Sequence, residues 1–168
     1  MIPAEWTQRI HTHCALVGIG NPLCGDDGFG PFVISILQHR TCLHLFDGGL
    51  APENLTGPLR RLAPKQAILL DTIPASTPPG SLCWIEPQLL QTATCSTHGP
   101  SIDLLATYLS QHLAIHVHLI GLVPQQTALG TPLSQTAIQS ARELAQFIET
   151  HWPPNKKEYH HAREDSNL

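Results

Sequence analysis

Short apolar runs of strand length alternate with amphipathic helical patterns along most of this chain. The runs that predict strands cover about residues 14 to 19, 42 to 46, 66 to 71, 81 to 86 and 115 to 122. The patterns that predict helices cover about residues 27 to 40, 52 to 60, 100 to 112 and 134 to 150, with Ser134 as the expected N-cap of the last helix. This alternation predicts a three-layer α/β/α fold, in which helices cover both faces of a mostly parallel five-stranded sheet.

The connection between the third and fourth predicted strands is too short to contain a helix. Only the loop TIPASTPPG, at residues 72 to 80, separates them. Parallel neighbours need a crossover of a dozen or more residues, so we expect the fourth strand to be an antiparallel neighbour of the third. The predicted sheet is therefore mixed.

The length of 168 residues suits one domain with a core of its own and is too short for two ordinary domains. We expect a single α/β domain over residues 1 to 151. Residues 152 to 168 have no periodicity and almost no aliphatic side chains, which predicts a disordered tail.

The charge pattern argues against several classes of partner. Nine Lys and Arg residues stand against 13 Asp and Glu residues, and the basic residues are mostly spread singly, which gives nucleic-acid binding no electrostatic support. No apolar stretch approaches the roughly 20 residues that span a bilayer, and the N-terminus lacks the apolar segment of a signal peptide. We expect a cytoplasmic protein with neither a nucleic-acid nor a membrane partner.

Five widely spaced cysteines form no C-x-x-C pair, so the sequence predicts neither a disulfide framework nor a structural zinc site. Cys14, Cys42 and Cys83 fall in strand-like runs and are expected to be small core residues. Cys24 and Cys95 lie near the loops described next. A nucleophilic role for either would require a base, and His98 is the nearby candidate.

Three segments place possible metal ligands after predicted strands. GIGNPLCGDDGFG (18 to 30) puts Asp26 and Asp27 in a turn between a strand and a helix. LLDT (69 to 72) ends a strand on Asp71, and STHGPS (96 to 101) puts His98 before a helix start. In open α/β sheets ligands bind at the C-terminal ends of the strands, so we expect these side chains at one edge.

Asp and His side chains from three loops would form a nitrogen and oxygen donor set suited to nickel or zinc. Three ligands would leave a fourth position open, as in functional rather than structural sites. Asp26 and Asp27 cannot easily reach one ion together, so one of them is expected to cap the helix or hold the loop. Taken singly, Asp71 also suits an ordinary strand-end turn and His98 an ordinary helix start.

The glycines of the first segment also suggest a dinucleotide-binding loop. Their spacing differs from G-x-G-x-x-G, and two acids at a helix start would repel a pyrophosphate, so we disfavour this interpretation. A further junction between a strand and a loop, FDGGLAPENL (46 to 55), contains Asp47, Gly48 and Gly49. We interpret it as a recognition loop, because the glycines permit unusual backbone angles.

Together these segments resemble the nickel-iron hydrogenase maturation endopeptidases over about residues 14 to 150. The resemblance is carried by GIGNPLCGDDGFGP, DGG-x-APENL, ILLDT, THG, GLVPQ and the later G-x-x-LS. It implies an endopeptidase that removes the C-terminal extension of a hydrogenase large-subunit precursor after nickel insertion. The segment Ala51 to Asn54 favours members that process multisubunit soluble hydrogenases.

The resemblance also implies roles for individual residues. Asp27, Asp71 and His98 would contact nickel that the substrate supplies, and the free protein would bind the metal weakly or not at all. Asp47, Gly48 and Gly49 would recognise the substrate. The resemblance assigns Asp26 less clearly; an acid such as Asp26 or Asp47 is a candidate general base. The partner implied is the large-subunit precursor, and the protein is expected to be a monomer.

Two other functions fit the same residues. A stand-alone metal-dependent hydrolase of small peptides would bind metal tightly without its substrate. A non-hydrolytic nickel or hydrogenase-precursor chaperone would leave its partner's mass unchanged.

Overall fold

The structure, a computed structural model, describes residues 2 to 86 and 99 to 154, apart from the side chains of residues 99 to 101. Within these residues one five-stranded sheet has the order β2-β1-β3-β5-β4. Its strands are Cys14–Ile19 (β1), His44–Gly49 (β2), Gln66–Thr72 (β3), Leu82–Ile85 (β4) and His116–Leu122 (β5). The first three and β5 are parallel, and β4 is antiparallel. The predicted mixed, mostly parallel α/β fold is confirmed.

The fourth strand has a different neighbour from the one expected. It runs antiparallel, but it pairs with β5, and β5 lies between it and β3. All seven residues of β3 are buried, and six of the seven residues of β5 are at least partly buried, so these apolar strands suit the sheet interior. The four residues of β4 are each only partly buried, which suits a short edge strand.

The described helices are Trp6–Arg9 (α1), Phe29–Leu37 (α2), Thr56–Leu62 (α3), Gly99–Leu113 (α4) and Gln135–His151 (α5). Single 3-10 turns, Gly25–Gly28 and Pro52–Leu55, precede α2 and α3. The one-turn helix α1 was not predicted, because four residues are too few to show a helical period. Ser134 accepts a hydrogen bond from the backbone N–H of Ala137, which confirms it as the N-cap of α5.

The core lies on both faces of the sheet. Successive residues of β1 point to opposite faces, so Leu16 packs on the side of α1, α2 and α5, whereas Val17 packs on the side of α3 and α4. Trp152, the first residue beyond the predicted domain, is buried in the first of these clusters. Most of the predicted tail, residues 155 to 168, lies outside the described residues. No helix among the described residues is long and apolar enough to cross a membrane.

Candidate active site

The loops that follow β1, β2 and β5 meet at the C-terminal edge of the parallel strands, where backbone hydrogen bonds join them. The N–H of Gly20 donates to the carbonyl of Gly49 over 2.9 Å, which ties the loop after β1 to the end of β2. The N–H of Asp26 donates to the carbonyl of Gln126 over 2.8 Å, and that of Gly25 donates to Thr131 over 3.0 Å. This edge is therefore a single connected surface.

Two glycines of the first motif are required by close backbone approaches. Gly20 has a φ of +133°, and a Cβ atom there would lie 1.8 Å from the carbonyl oxygen of Asp27. A Cβ atom on Gly30 would lie 2.3 Å from the carbonyl oxygen of Leu70, where α2 crosses the ends of β1 and β3. The glycine spacing thus serves the tight turn that carries the two acids.

Asp27 lies at this edge beside the end of β3. It is 7% exposed, and its Oδ2 accepts the backbone N–H of Asn21 over 2.8 Å. Its Oδ1 accepts the hydroxyl of Thr72 over 3.3 Å. The turn therefore directs this carboxylate toward the strand that carries Asp71.

Asp71 is fully buried at the end of β3, and its Oδ1 accepts the backbone N–H of Thr72 over 2.7 Å. Thr72 therefore donates to both carboxylates, from its backbone to Asp71 and from its side chain to Asp27. The sequence reasoning missed Thr72. The only signal for it was its position after Asp71 in the LLDT motif.

Asp26 points away from this pair toward the loop after β5. It is fully buried and accepts four hydrogen bonds. Oδ2 accepts the N–H groups of Gln125 and Gln126 and the hydroxyl of Ser134 over 2.7, 3.2 and 2.9 Å, and Oδ1 accepts the N–H of Ser134 over 2.7 Å. Of the two roles that the sequence allows for these acids, Asp26 has the geometry of the one that holds a loop.

His98 lies outside the described residues. The helix that follows it, α4, is joined to the start of β5 through residues 114 and 115. This helix packs against β5 and against the Pro52–Leu55 turn, which follows the C-terminal end of β2. Part of α4 therefore lies beside the edge that holds Asp27 and Asp71.

Asp47, Gly48 and Gly49 form the end of β2 at the same edge. The register shifts here, since Gly18 pairs with Asp47 and Ile19 pairs with Gly49, which leaves Gly48 as an extra residue. Asp47 is exposed, and its Oδ1 accepts the N–H of Gly49 over 3.1 Å. The irregular strand end therefore presents an exposed carboxylate beside the loop that carries Asp27.

His116 and His118 lie at the start of β5, at the opposite edge of the sheet from the two carboxylates. Nδ1 of His118 is 3.3 Å from Oε2 of Glu86, whose other oxygen is 2.6 Å from Arg9. Burial lowers the pKa of His118 more strongly than Glu86 raises it. Among the described residues no cluster of three or more His, Cys, Asp or Glu side chains could hold a metal.

Comparison with known proteins identifies the group to which these features belong. The family model for hydrogenase maturation proteases (HycI) matches residues 35 to 151. The chain is 26% identical over 137 residues to the hydrogenase 3 maturation protease of Escherichia coli strain K12, covering 80% of this chain and 87% of that protein.

Solved structures agree with the sequence comparison. The crystal structure of a [NiFe] hydrogenase maturation protease HycI from Thermococcus kodakarensis is 28% identical with a TM-score of 0.76, covering 83% of this chain and 92% of that one. The solution structure of the endopeptidase HycI from Escherichia coli is 25% identical with a TM-score of 0.73, covering 82% and 89%. The chain belongs to the hydrogenase maturation protease family.

Proposed function

We propose that this endopeptidase removes the C-terminal extension of a nickel-iron hydrogenase large-subunit precursor and recognises nickel already bound to that precursor. The observation that carries the proposal is the pair of buried carboxylates, Asp27 and Asp71, that share hydrogen bonds from Thr72 at the C-terminal edge of the sheet. Buried carboxylates are costly unless they are hydrogen-bonded or bind a cation.

Asp27 and Asp71 supply the oxygen ligands to the substrate's nickel in this proposal, and His98 supplies a nitrogen ligand. The set is incomplete without the substrate, so the free protein binds nickel weakly or not at all. A cation that the precursor presents to Asp27 and Asp71 would offset the cost of burying these carboxylates and so favour the complex. Nickel there either polarises the carbonyl or a water molecule, or serves only to position the precursor.

The neighbouring acids take separate roles. Asp26 is a positioning residue, because both of its oxygens already accept hydrogen bonds from the 125 to 134 loop. Asp47 contacts the precursor, as the exposed carboxylate at the irregular end of β2. Should a side chain act as the general base, Asp47 fits that task better than Asp26.

The first experiment incubates the protein with nickel-loaded and nickel-free precursor and follows the precursor by intact-mass spectrometry. Loss of the extension from the loaded precursor alone is the expected result. Cleavage of both forms would contradict nickel recognition. Binding with no change in mass would favour the chaperone function, and tight nickel binding by the free protein would favour a stand-alone metal hydrolase.

Three variants then test the residues: Asp27→Asn, Asp71→Asn and His98→Gln. Each is expected to abolish processing while the far-ultraviolet circular dichroism spectrum stays unchanged. Asp103→Asn, the same change at an exposed position of α4, serves as the matched control and is expected to process at the wild-type rate. Full processing by any of the first three would remove that residue from the site.

A further inference from the structure

Large apolar side chains are exposed at one edge of the molecule. Among the described residues the exposed ones are Leu23, Leu50, Leu104 and Leu129, at 68%, 60%, 64% and 76%. Leu23, Leu50 and Leu129, here called the leucine rim, lie in the loops that follow β1, β2 and β5, at the edge that holds the candidate active site. Leu104 lies in the first half of α4. An apolar group concentrated beside an active site indicates an interaction surface.

Hydrogen bonds hold the leucine rim in place. The N–H of Gly130 donates to the carbonyl of Leu23 over 2.7 Å, which joins the two loops that carry Leu23 and Leu129. The N–H of Leu23 donates to the side-chain oxygen of Asn21 over 3.0 Å. A partner that binds loops already fixed in this way loses little affinity to their ordering.

The leucine rim is also joined to the carboxylates. Asn21, two residues before Leu23, donates its backbone N–H to Asp27. Gly49, one residue before Leu50, accepts the N–H of Gly20. A partner that binds the leucine rim therefore contacts loops that are hydrogen-bonded to Asp27 and to each other.

The charge of the loops at this edge limits which kinds of partner can bind there. The four edge segments, residues 20 to 28, 47 to 55, 71 to 81 and 123 to 134, contain five acidic residues and no Lys or Arg. The acids are Asp26, Asp27, Asp47, Glu53 and Asp71. A partner that fits this edge combines apolar side chains with positive charge. A second copy of this chain would bring the same acids to a symmetric interface, where they would repel.

We infer that the leucine rim docks an apolar segment of the large-subunit precursor that lies beside its bound nickel. This inference rests on the proposed function, because that function supplies the partner that carries positive charge to this edge. The apolar contacts hold the precursor, and the carboxylates below them receive its metal. The leucine rim thus determines the affinity for the precursor, whereas Asp27 and Asp71 bind the metal that the precursor carries.

The test compares two double variants. Leu23→Asn with Leu129→Asn removes apolar surface without adding charge, and Leu23→Met with Leu129→Met keeps it. Both sites are exposed, so neither variant is expected to change the fold. Affinity for nickel-loaded precursor is measured by biolayer interferometry, and cleavage is measured separately by mass spectrometry.

The Asn pair is expected to weaken binding at least tenfold and to raise KM with little change in kcat, whereas the Met pair behaves like wild type. Equal affinity of the Asn pair and wild type would overturn the inference. The inference would also be overturned if the wild-type protein were a dimer and the Asn pair dissociated that dimer without changing its affinity for the precursor. Precursor that binds to wild type but keeps its extension would refute the proposed function, and the affinity comparison would still decide the role of the leucine rim.

Discussion

Replacing Asp26 with Asn is predicted to destabilise the fold, because this carboxylate has a structural task. An amide keeps one acceptor oxygen and puts an NH₂ group in place of the other. If the nitrogen takes the position of Oδ1, the N–H of Ser134 faces a donor and loses its acceptor, at a cost of about 1 to 3 kcal/mol. The three hydrogen bonds to Oδ2 then lose their charge assistance, about 1 kcal/mol each.

Burying a neutral amide costs less than burying a carboxylate, which offsets part of this loss. The net destabilisation of Asp26→Asn is therefore expected to be about 3 kcal/mol. For a domain of this size the melting temperature should fall by about 6 to 12 °C.

Thermal unfolding followed by circular dichroism measures this effect, and Asp103→Asn is again the matched control, expected within about 2 °C of wild type. The processing assay is run well below the melting temperature of each variant. An Asp26→Asn protein that keeps its melting temperature and loses all processing would refute the reasoning, because Asp26 would then act in the chemistry.

Three further predictions concern packing and titration. Gly30→Ala should prevent stable folding, because its Cβ would meet the carbonyl oxygen of Leu70 at 2.3 Å. Soluble yield and melting temperature measure this loss of stability, and a melting temperature near that of wild type would contradict the packing of α2. The pKa of His118 lies below its usual 6.5 in the folded protein because the ring is buried, although Glu86 opposes the shift, so its contribution to stability is present above pH 6.5 and is lost as the pH falls. Urea unfolding at pH 7.5 and 5.5 should show a smaller loss for His118→Gln than for wild type, and equal losses would exclude this cause. Burial raises the pKa of the Cys14 thiol to about 12, so iodoacetamide at pH 8 should leave it unmodified until the protein is denatured, as peptide mass spectrometry can test.

The strands and the mixed, mostly parallel character of the sheet were predictable, because the strands are short apolar runs between clear loop signals. The neighbour of β4 was not, since a short connection restricts where a strand can go but does not say which strand takes the place beside it. The chain crosses the end of β5, where Ile73 donates its N–H to Leu122 over 2.9 Å. Strand order depends on how all the strands bury their apolar surfaces together. The sequence of a single segment does not contain that information.

The positions of the candidate site residues were predictable only in part. Asp27 and Asp71 could be expected at one edge, because Asp27 follows one parallel strand and Asp71 lies at the C-terminal end of another. The direction of a 3-10 turn decides which of the two adjacent acids points to that edge. The hydrogen bonds that hold Asp26 come from residues about 100 positions later in the chain, so the local sequence does not show them. Thr72 carries no signal of its own, because a threonine at a strand end is an ordinary residue.

The hydrogen bonds that Asp26 accepts from the 125 to 134 loop also bear on when this edge becomes ordered during synthesis. The Gly25–Gly28 turn leaves the ribosome early, yet its buried acid can find its partners only after β5 and the start of α5 have been made. Contacts between such distant parts of a chain form late in folding. A nascent chain that ends before residue 125 therefore carries both Asp27 and Asp71 before the hydrogen bonds that fix the neighbouring turn can form.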